Sequence, residues 1–313
     1  MVSRGEAFPA RIAIDCYRAQ TYPNRELIIV CDRPDSELSR LVSSLGDRSI
    51  KYIETPRMVL GELRNASVAA ASGSLLCQWD DDDLYHPRRI AYQVEALAST
   101  EAVAHFLDRW LLWWPKRRLM GVSKARGWEG SMLIRRDAIP RYPSMTKMED
   151  AVLIEALVRD QLISMSDCPE LYCYVNYGGN TWGDSHFREL FQEASLIYED
   201  YDEALARVSA DLPVKEYEIQ SERAIPSGIE SLSSTAREPF IVQDRVFGDE
   251  SVSFDGVRYI NCTFNRSTLV YFGGTVEYVG CAFEDVKIRF EGASKNIFNT
   301  IQLLRQHGIV GPI

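Results

Sequence analysis

Four consecutive carboxylates, Asp80-Asp81-Asp82-Asp83, are the side chains of this 313-residue chain best suited to chemistry. They follow the apolar run Ser74–Trp79 and come shortly before Pro87, so they stand where a strand ends and a helix is about to begin. Two such charges about 6 Å apart repel by roughly 3 kcal/mol at an effective dielectric of about 20, and several-fold less in water. A run of this kind therefore faces solvent or gathers a cation. Hard carboxylate oxygens favour Mg²⁺ or Mn²⁺, with phosphate oxygens completing the shell. A solvated acidic loop is the plain alternative for Asp/Glu runs in general. The strand before the run and the Pro87 helix after it favour the cation.

Further along, Lys147-Met148-Glu149-Asp150 opens a helical pattern. Carboxylates at a helix N-terminus either cap it or, in a site, accept a proton. His186 is one of four histidines and closes the segment Asn180–His186. A neutral imidazole there could ligate Mn²⁺ or contact a phosphate; capping or exposure at the start of a helix is the alternative. Trp110, Trp113, Trp114 and Trp128 offer aromatic faces for stacking on a ligand, although tryptophans fill any core and at least two of the four are expected to do so. Arg117, Arg118, Lys124 and Arg126 form a basic cluster that reads as a solvated loop, or as a surface for a phosphorylated ligand or a membrane.

The elements that position these residues alternate. Helical patterns cover Phe8–Gln20, Ser36–Leu45 (closed by Gly46), Gly61–Ala71 and Pro87–Leu97, with strand-like runs at Glu26–Val30, Ile50–Ile53 and Ser74–Trp79 between them. Ala102–Leu107 and Gly130–Arg135 read as strands, Glu149–Arg159 as a helix, and Asp184–Val208 as one longer amphipathic helix. Such alternation predicts an α/β fold with helices on both faces of the sheet, and a ligand crevice at the strand C-termini, where Asp80–Asp83 lie.

The remaining third has a different texture. Residues 212–239 are rich in Ser, Glu and Pro and read as a linker or extended arm. Beyond it Tyr259, Cys262 and Phe264 recur as Tyr278, Cys281 and Phe283, a tandem repeat that suggests a short β-solenoid, with a plain antiparallel meander as the alternative. Residues 294–306 have the pattern of a capping helix. The expected organisation is a catalytic domain over 1–211, a linker over 212–239 and a small β-repeat domain over 240–313, a candidate for oligomer contacts.

Composition narrows the function classes. Lys plus Arg is 35 and Asp plus Glu is 45, a net charge of −10, which argues against a broad nucleic-acid surface. The seven cysteines are scattered, with no CxxC pair, so neither a disulfide scaffold nor a zinc module is expected and a reducing cytoplasm fits best. No apolar run approaches the roughly 18–20 residues of a transmembrane helix, and no signal-peptide pattern opens the chain.

Residues 4 to about 190 resemble family 2 glycosyltransferases, enzymes of GT-A fold that use nucleotide sugars. The resemblance is carried by Ala13-Ile14, Gln20-Thr21-Tyr22-Pro23-Asn24, Glu26–Asp32, Gly61 with Arg64-Asn65, Ala70 with Gly73, and Asp80–Asp83 with Pro87. It implies a Rossmann-like mixed sheet and places residues in roles. Asp32 matches the family aspartate that bonds the nucleotide base, and Arg64 and Asn65 match the helix lining the nucleotide pocket. Asp80 and Asp82 match the DxD pair, Asp82 as direct ligand of Mn²⁺ or Mg²⁺ and Asp80 toward the ribose or the metal-bound water. Asp81 falls with the nucleotide-sugar contacts, and Asp81 and Asp83 otherwise read as outer or solvated groups. Asp150, beside Glu149, matches the general base, His186 a late metal ligand, and Trp128 an acceptor-loop residue. Two departures stand out: only Met1–Arg4 precede the first helix, where the family has a full strand, and the usual Asp-Asp after the second strand is Cys31-Asp32.

The implied function is metal-dependent, inverting transfer of a sugar from a nucleotide sugar, a UDP-sugar first, to a glycan or other hydroxyl acceptor. The setting would be polysaccharide biosynthesis in the cytoplasm, with peripheral membrane association a candidate. Two other classes compete: a nucleotidyltransferase, which usually shows a Gly-rich phosphate loop not visible here, and a degenerate transferase serving as a glycan-binding or assembly module.

Overall fold

Short apolar runs closed by turn residues build the first sheet. The computed structural model describes residues 1–33, 36–160, 162–218, 240–254, 257–271 and 276–290. Val2–Ser3 (β1) precedes helix Ala7–Arg18 (α1) and lies parallel to Leu27–Cys31 (β2), with Val2 opposite Val30 and Ser3 opposite Cys31. These two residues thus take a place in the sheet where the family has a full strand. All five β2 residues are buried, as in a parallel strand covered on both faces. Glu37–Leu45 (α2) begins at Ser36, whose hydroxyl accepts from the Ser39 N–H at 3.2 Å, and ends at Gly46 with φ 60°. Ile50–Glu54 (β3) completes the parallel order β1-β2-β3.

The next stretch carries Leu60–Ala70 (α3), Leu75–Cys77 (β4), Leu84–Tyr85 (β5), Arg89–Ala98 (α4), Ala104–Leu107 (β6), Leu111–Trp114 (β7), Leu119–Val122 (β8), Leu133–Arg135 (β9), Glu149–Asp160 (α5), Ile163–Ser166 (β10) and Tyr172–Val175 (β11). The second sheet, in the order β10-β6-β9-β4, is mixed: β10 runs parallel to β6, while β9 is antiparallel to β6 and β4. Here the strand expected over Gly130–Arg135 begins only at Leu133, because Glu129–Ser131 form a 3₁₀ turn.

The single helix expected over Asp184–Val208 is broken. Asp184–Gln192 (α6) ends, Leu196–Ile197 (β12) pairs antiparallel with β8, and Tyr201–Val208 (α7) starts at Asp200, whose carboxylate accepts from the Glu203 N–H. Gly121 permits the pairing: a Cβ there would stand 2.5 Å from the Leu196 carbonyl oxygen. The third sheet is therefore β12-β8-β7-β11-β5.

The described residues fall into two compact units. The first comprises Met1–Met58, Leu63–Arg141 and the described part of 154–231, around a core that includes Trp79, Tyr85, Trp110, Trp113 and Tyr172. Leu212, Val214 and Tyr217, expected in the linker, are buried in that core. Apolar side chains at these positions gain more from burial than an extended arm would give them.

The second unit comprises Val59–Glu62, Tyr142–Leu153 and the described part of 232–313. Its C-terminal part is a parallel coil, not a meander. The first turn is Phe240–Gln243 (β13), Val246–Gly248 (β14) and Ser251–Ser253 (β15), the second Val257–Ile260 (β16), Thr263–Asn265 (β17) and Thr268–Tyr271 (β18), and the third Val276–Val279 (β19), Ala282–Glu284 (β20) and Lys287–Phe290 (β21). Each strand pairs in parallel with its successor one turn on, as Val257 with Val276 and Thr263 with Ala282. Phe247, Phe264 and Phe283 stack in a column at 5.0 Å spacing. Two corners recur in the left-handed region, Asp244, Asn261 and Gly280 at one and Asp249, Arg266 and Asp285 at the other. Asn and Asp tolerate that region better than most side chains. The capping helix expected over 294–306 lies outside the described residues.

Candidate functional site

Strand β4 ends at Cys77, and the chain turns through Gln78–Asp83 before β5. Each aspartate of that turn has a different environment. Asp80 Oδ1 accepts from Arg64 Nη1 at 3.1 Å, with the Arg64 side chain buried on α3. The Asp80 main chain is pinned by Tyr85, whose hydroxyl accepts from the Asp80 N–H at 2.7 Å. Burial holds the Asp81 carboxyl up to about 6, helped by the charge of Asp80 and opposed by a hydrogen bond from Ser3 at the end of β1. Asp82 Oδ2 accepts from Asn180 Nδ2 at 2.9 Å. Burial, then the charges of Asp83, Asp81 and Asp80, push the Asp82 carboxyl well above the usual range.

Asp83 is neither solvated nor an outer group of the site. It is 2% exposed and accepts from the Tyr172 hydroxyl at 2.5 Å and the Val175 N–H at 3.1 Å, which ties the turn to β11. Arg89, fully buried on α4, lies against the rings of Trp79, Tyr85 and Tyr172 and donates to the carbonyls of Gln78 and Gly130 at 3.0 Å. A buried guanidinium is tolerable here because it is hydrogen-bonded and faces aromatic rings.

Asp32 follows β2, and its Oδ2 accepts from the Met58 N–H at 3.4 Å. Asn65 is half-buried on α3, next to Arg64. In the second unit, Glu149 and Asp150 open α5. Asp150 Oδ1 accepts from the Ala151 N–H at 2.9 Å, and Glu149 is 1% exposed. The segment is fixed by a close crossing at Gly61, where a Cβ would meet the Pro143 carbonyl oxygen at 1.8 Å.

Two expectations, the metal-ligand role of His186 and the open face of Trp128, need correction. His186 packs against the rings of Trp182, Tyr174 and Phe187. Among the described residues no three His, Cys, Asp or Glu side chains converge on a metal position, so Asp80, Asp82 and His186 do not form a ligand triad. Trp128 is 2% exposed, its ring covered by Trp110 at 4.7 Å and by the Arg126 guanidinium at 3.8 Å, which leaves little face for a sugar. Trp110, Trp113 and Trp114 are buried too. The basic cluster is largely neutralised: Arg118 pairs with Asp202, Lys124 with Glu193 and Arg126 with Glu129, while Arg117 lies over Trp114.

Residues 6–138, which include Asp32, Arg64 and Asp80–Asp83, match the family model described as Glycosyl transferase family 2. This segment is similar to family 2 glycosyltransferases. Among curated proteins, it is similar to an uncharacterized glycosyltransferase of Rickettsia prowazekii, 33% identical over 87 residues, covering 28% of this chain and 27% of that protein. An uncharacterized glycosyltransferase of Rickettsia felis is 33% identical over 89 residues, covering 28% of this chain and 15% of the relative. The match thus spans about a quarter or less of these relatives. Among solved structures, S. aureus TarS 1-349 in complex with UDP aligns with TM-score 0.47 and 13% identity over 61% of this chain and 68% of that chain. The same protein in complex with UDP-GlcNAc gives 0.46 and 13%, over 57% and 58%.

Within this matched segment, the aspartate oxygens differ in how far they suit a divalent cation. Among the described residues, Asp82 Oδ1 has no protein hydrogen-bond partner, and the only donor to its Oδ2 is a neutral amide. Asp80, by contrast, shares its charge with Arg64. A half-buried carboxylate with an open hard oxygen fits Mg²⁺ or Mn²⁺, and with no third side-chain ligand the shell would be finished by water and phosphate oxygens. Sequence reasoning missed Ser3, Arg89, Tyr172 and the role of Asn180. The turn-forming run Asn176–Asn180 after an apolar strand was the available signal for the last.

No helix among the described residues is long and apolar enough to cross a membrane.

Proposed function

We propose that this chain is a metal-dependent, inverting glycosyltransferase that moves a sugar from a nucleoside-diphosphate sugar, a UDP-sugar first, to a hydroxyl of a glycan or other acceptor. The observation that carries the reading is the family match over residues 6–138, whose Asp80–Asp83 turn holds an Arg64–Asp80 ion pair two residues before the open oxygen of Asp82.

Asp32, Arg64 and Asn65 bind the nucleoside, and Asp80 and Asp81 hold its ribose and the turn around the diphosphate. Asp82 would hold Mn²⁺ or Mg²⁺, with Asp80 reaching it through water. When bound, the cation supplies charge stabilisation for the departing diphosphate. Asp150, with Glu149 beside it, takes the proton of the acceptor hydroxyl. The acceptor oxygen bonds to the anomeric carbon, the bond from that carbon to the diphosphate oxygen breaks, and its electron pair leaves with the nucleoside diphosphate. One displacement inverts the anomeric configuration.

A thermal-shift panel of UDP and GDP, each with and without Mn²⁺, tests the donor assignment. A ligand at about 100 times its dissociation constant adds about 2.7 kcal/mol of stability, a clear upward shift. The reading expects the shift for one nucleotide and its strong dependence on Mn²⁺; no shift with either nucleotide would count against it.

A further inference from the structure

We infer that Asn180 is a positioning residue for the donor site, holding one oxygen of Asp82 so that the other is presented to the cation that accompanies the nucleoside diphosphate. The inference rests on the donor-site reading above and extends it to a residue outside the matched segment.

The orientation of the Asn180 amide is set by its neighbours. Its Oδ1 accepts from the Tyr177 N–H at 3.0 Å, and its Nδ2 donates both to the Val175 carbonyl at 2.8 Å and to Asp82 Oδ2 at 2.9 Å. Exchanging oxygen and nitrogen would place an acceptor against two acceptors and a donor against a donor, so the network admits one arrangement. Both amide hydrogens are used, and the side chain has no slack to rotate away from Asp82.

The loop that presents Asn180 is itself fastened to the aspartate turn. The Val175 N–H donates to Asp83 Oδ1 at 3.1 Å, and the Gly178 N–H donates to Asn176 Oδ1 at 3.0 Å, with Gly178 at φ 92°. Asn180 and Asp82 therefore move as one piece. The donor is also neutral. An arginine or lysine at this place would satisfy the charge of Asp82, as Arg64 does for Asp80, and remove the need for a metal. A neutral amide fixes the direction of the carboxylate and leaves its charge for the cation. Outer groups that orient a ligand in this way typically govern metal affinity by 10- to 100-fold.

The test is Mn²⁺ binding to the full chain in the presence of UDP or GDP, read from the electron paramagnetic resonance signal of free Mn²⁺, for the parent and Asn180→Ala. The expected result is a dissociation constant about tenfold higher or more in the variant, with the metal-free unfolding midpoint within a few degrees of the parent. Should Asn180→Ala not fold, Asn180→Ser, which keeps a hydroxyl for the Tyr177 N–H, carries the same measurement. Variants that bind Mn²⁺ as tightly as the parent overturn the inference, as does a lowered unfolding midpoint with unchanged Mn²⁺ affinity. A parent that binds no Mn²⁺ with either nucleotide overturns the donor-site reading, and the inference with it.

Discussion

The Tyr172 hydroxyl donates to the Asp83 carboxylate at 2.5 Å, with both side chains fully enclosed. That bond and the Val175 N–H anchor one end of the aspartate turn to β11. Burial pushes the Asp83 carboxyl well above its usual range, with Asp80 adding to the shift. Tyr172→Phe leaves that carboxyl with a single donor in an apolar setting. It should cost about 1–3 kcal/mol of unfolding free energy, measurable by urea denaturation, and should weaken nucleotide binding.

Gly130 is a second fixed point. A Cβ there would stand 2.6 Å from the Tyr172 hydroxyl and 3.2 Å from Asp80 Oδ2. The Tyr172 ring stacks on Trp110 at 4.3 Å and cannot easily give way. Gly130→Ala should destabilise the fold by about 1–3 kcal/mol through overpacking and displace Asp80 from Arg64. Calorimetry with UDP and Mn²⁺ should show weaker binding than the parent.

His105 makes stability depend on pH. It is buried, with Gln93 Nε2 at 3.3 Å from Nδ1 and Ser166 Oγ at 3.0 Å from Nε2, and burial pushes its pKa from 6.5 down to about 4. Between these values the unfolded chain binds a proton that the folded chain refuses. Its contribution is therefore complete above pH about 6.5 and falls as the pH drops toward 4, by about 3 kcal/mol across that window. The difference in unfolding free energy between parent and His105→Gln, followed from pH 7 to pH 4, should shrink or reverse as the pH falls.

Asp150 carries the proposed proton transfer. Asp150→Asn keeps the shape of the helix start and removes the base. Its transfer rate should fall by about 10²- to 10⁴-fold, while calorimetry with UDP and Mn²⁺ gives the parent's affinity. Parent-like turnover with the true acceptor would remove Asp150 from the role.

Much of this was legible in the residues. The run ending at Cys31-Asp32, the Ser36 cap and the Gly46 stop mark elements whose local chemistry and final positions agree. The third coil was legible because Tyr278, Cys281 and Phe283 repeat Tyr259, Cys262 and Phe264. The first coil was not, because it has Arg245 where the others have cysteine and only Phe247 continues the column. The break after Gln192 was hidden because an amphipathic pattern looks the same for one helix as for two with a short strand between. The deciding partner is Gly121, distant in sequence. The aspartates could be read as a group, but not their separate fates. Which of them is buried, paired or open depends on Tyr172, Arg64 and Asn180, each contributed by a different element.

The central claim is that the aspartate turn serves a nucleotide-sugar donor. The most direct measurement is the product released when the full chain is incubated with a panel of nucleotide sugars and Mn²⁺, with an aglycone or glycan acceptor mixture present. The expected product is free nucleoside diphosphate, formed at a rate that Asp82→Asn sharply lowers, with no pyrophosphate. Pyrophosphate release, or nucleoside diphosphate formed as fast by Asp82→Asn as by the parent, would contradict it.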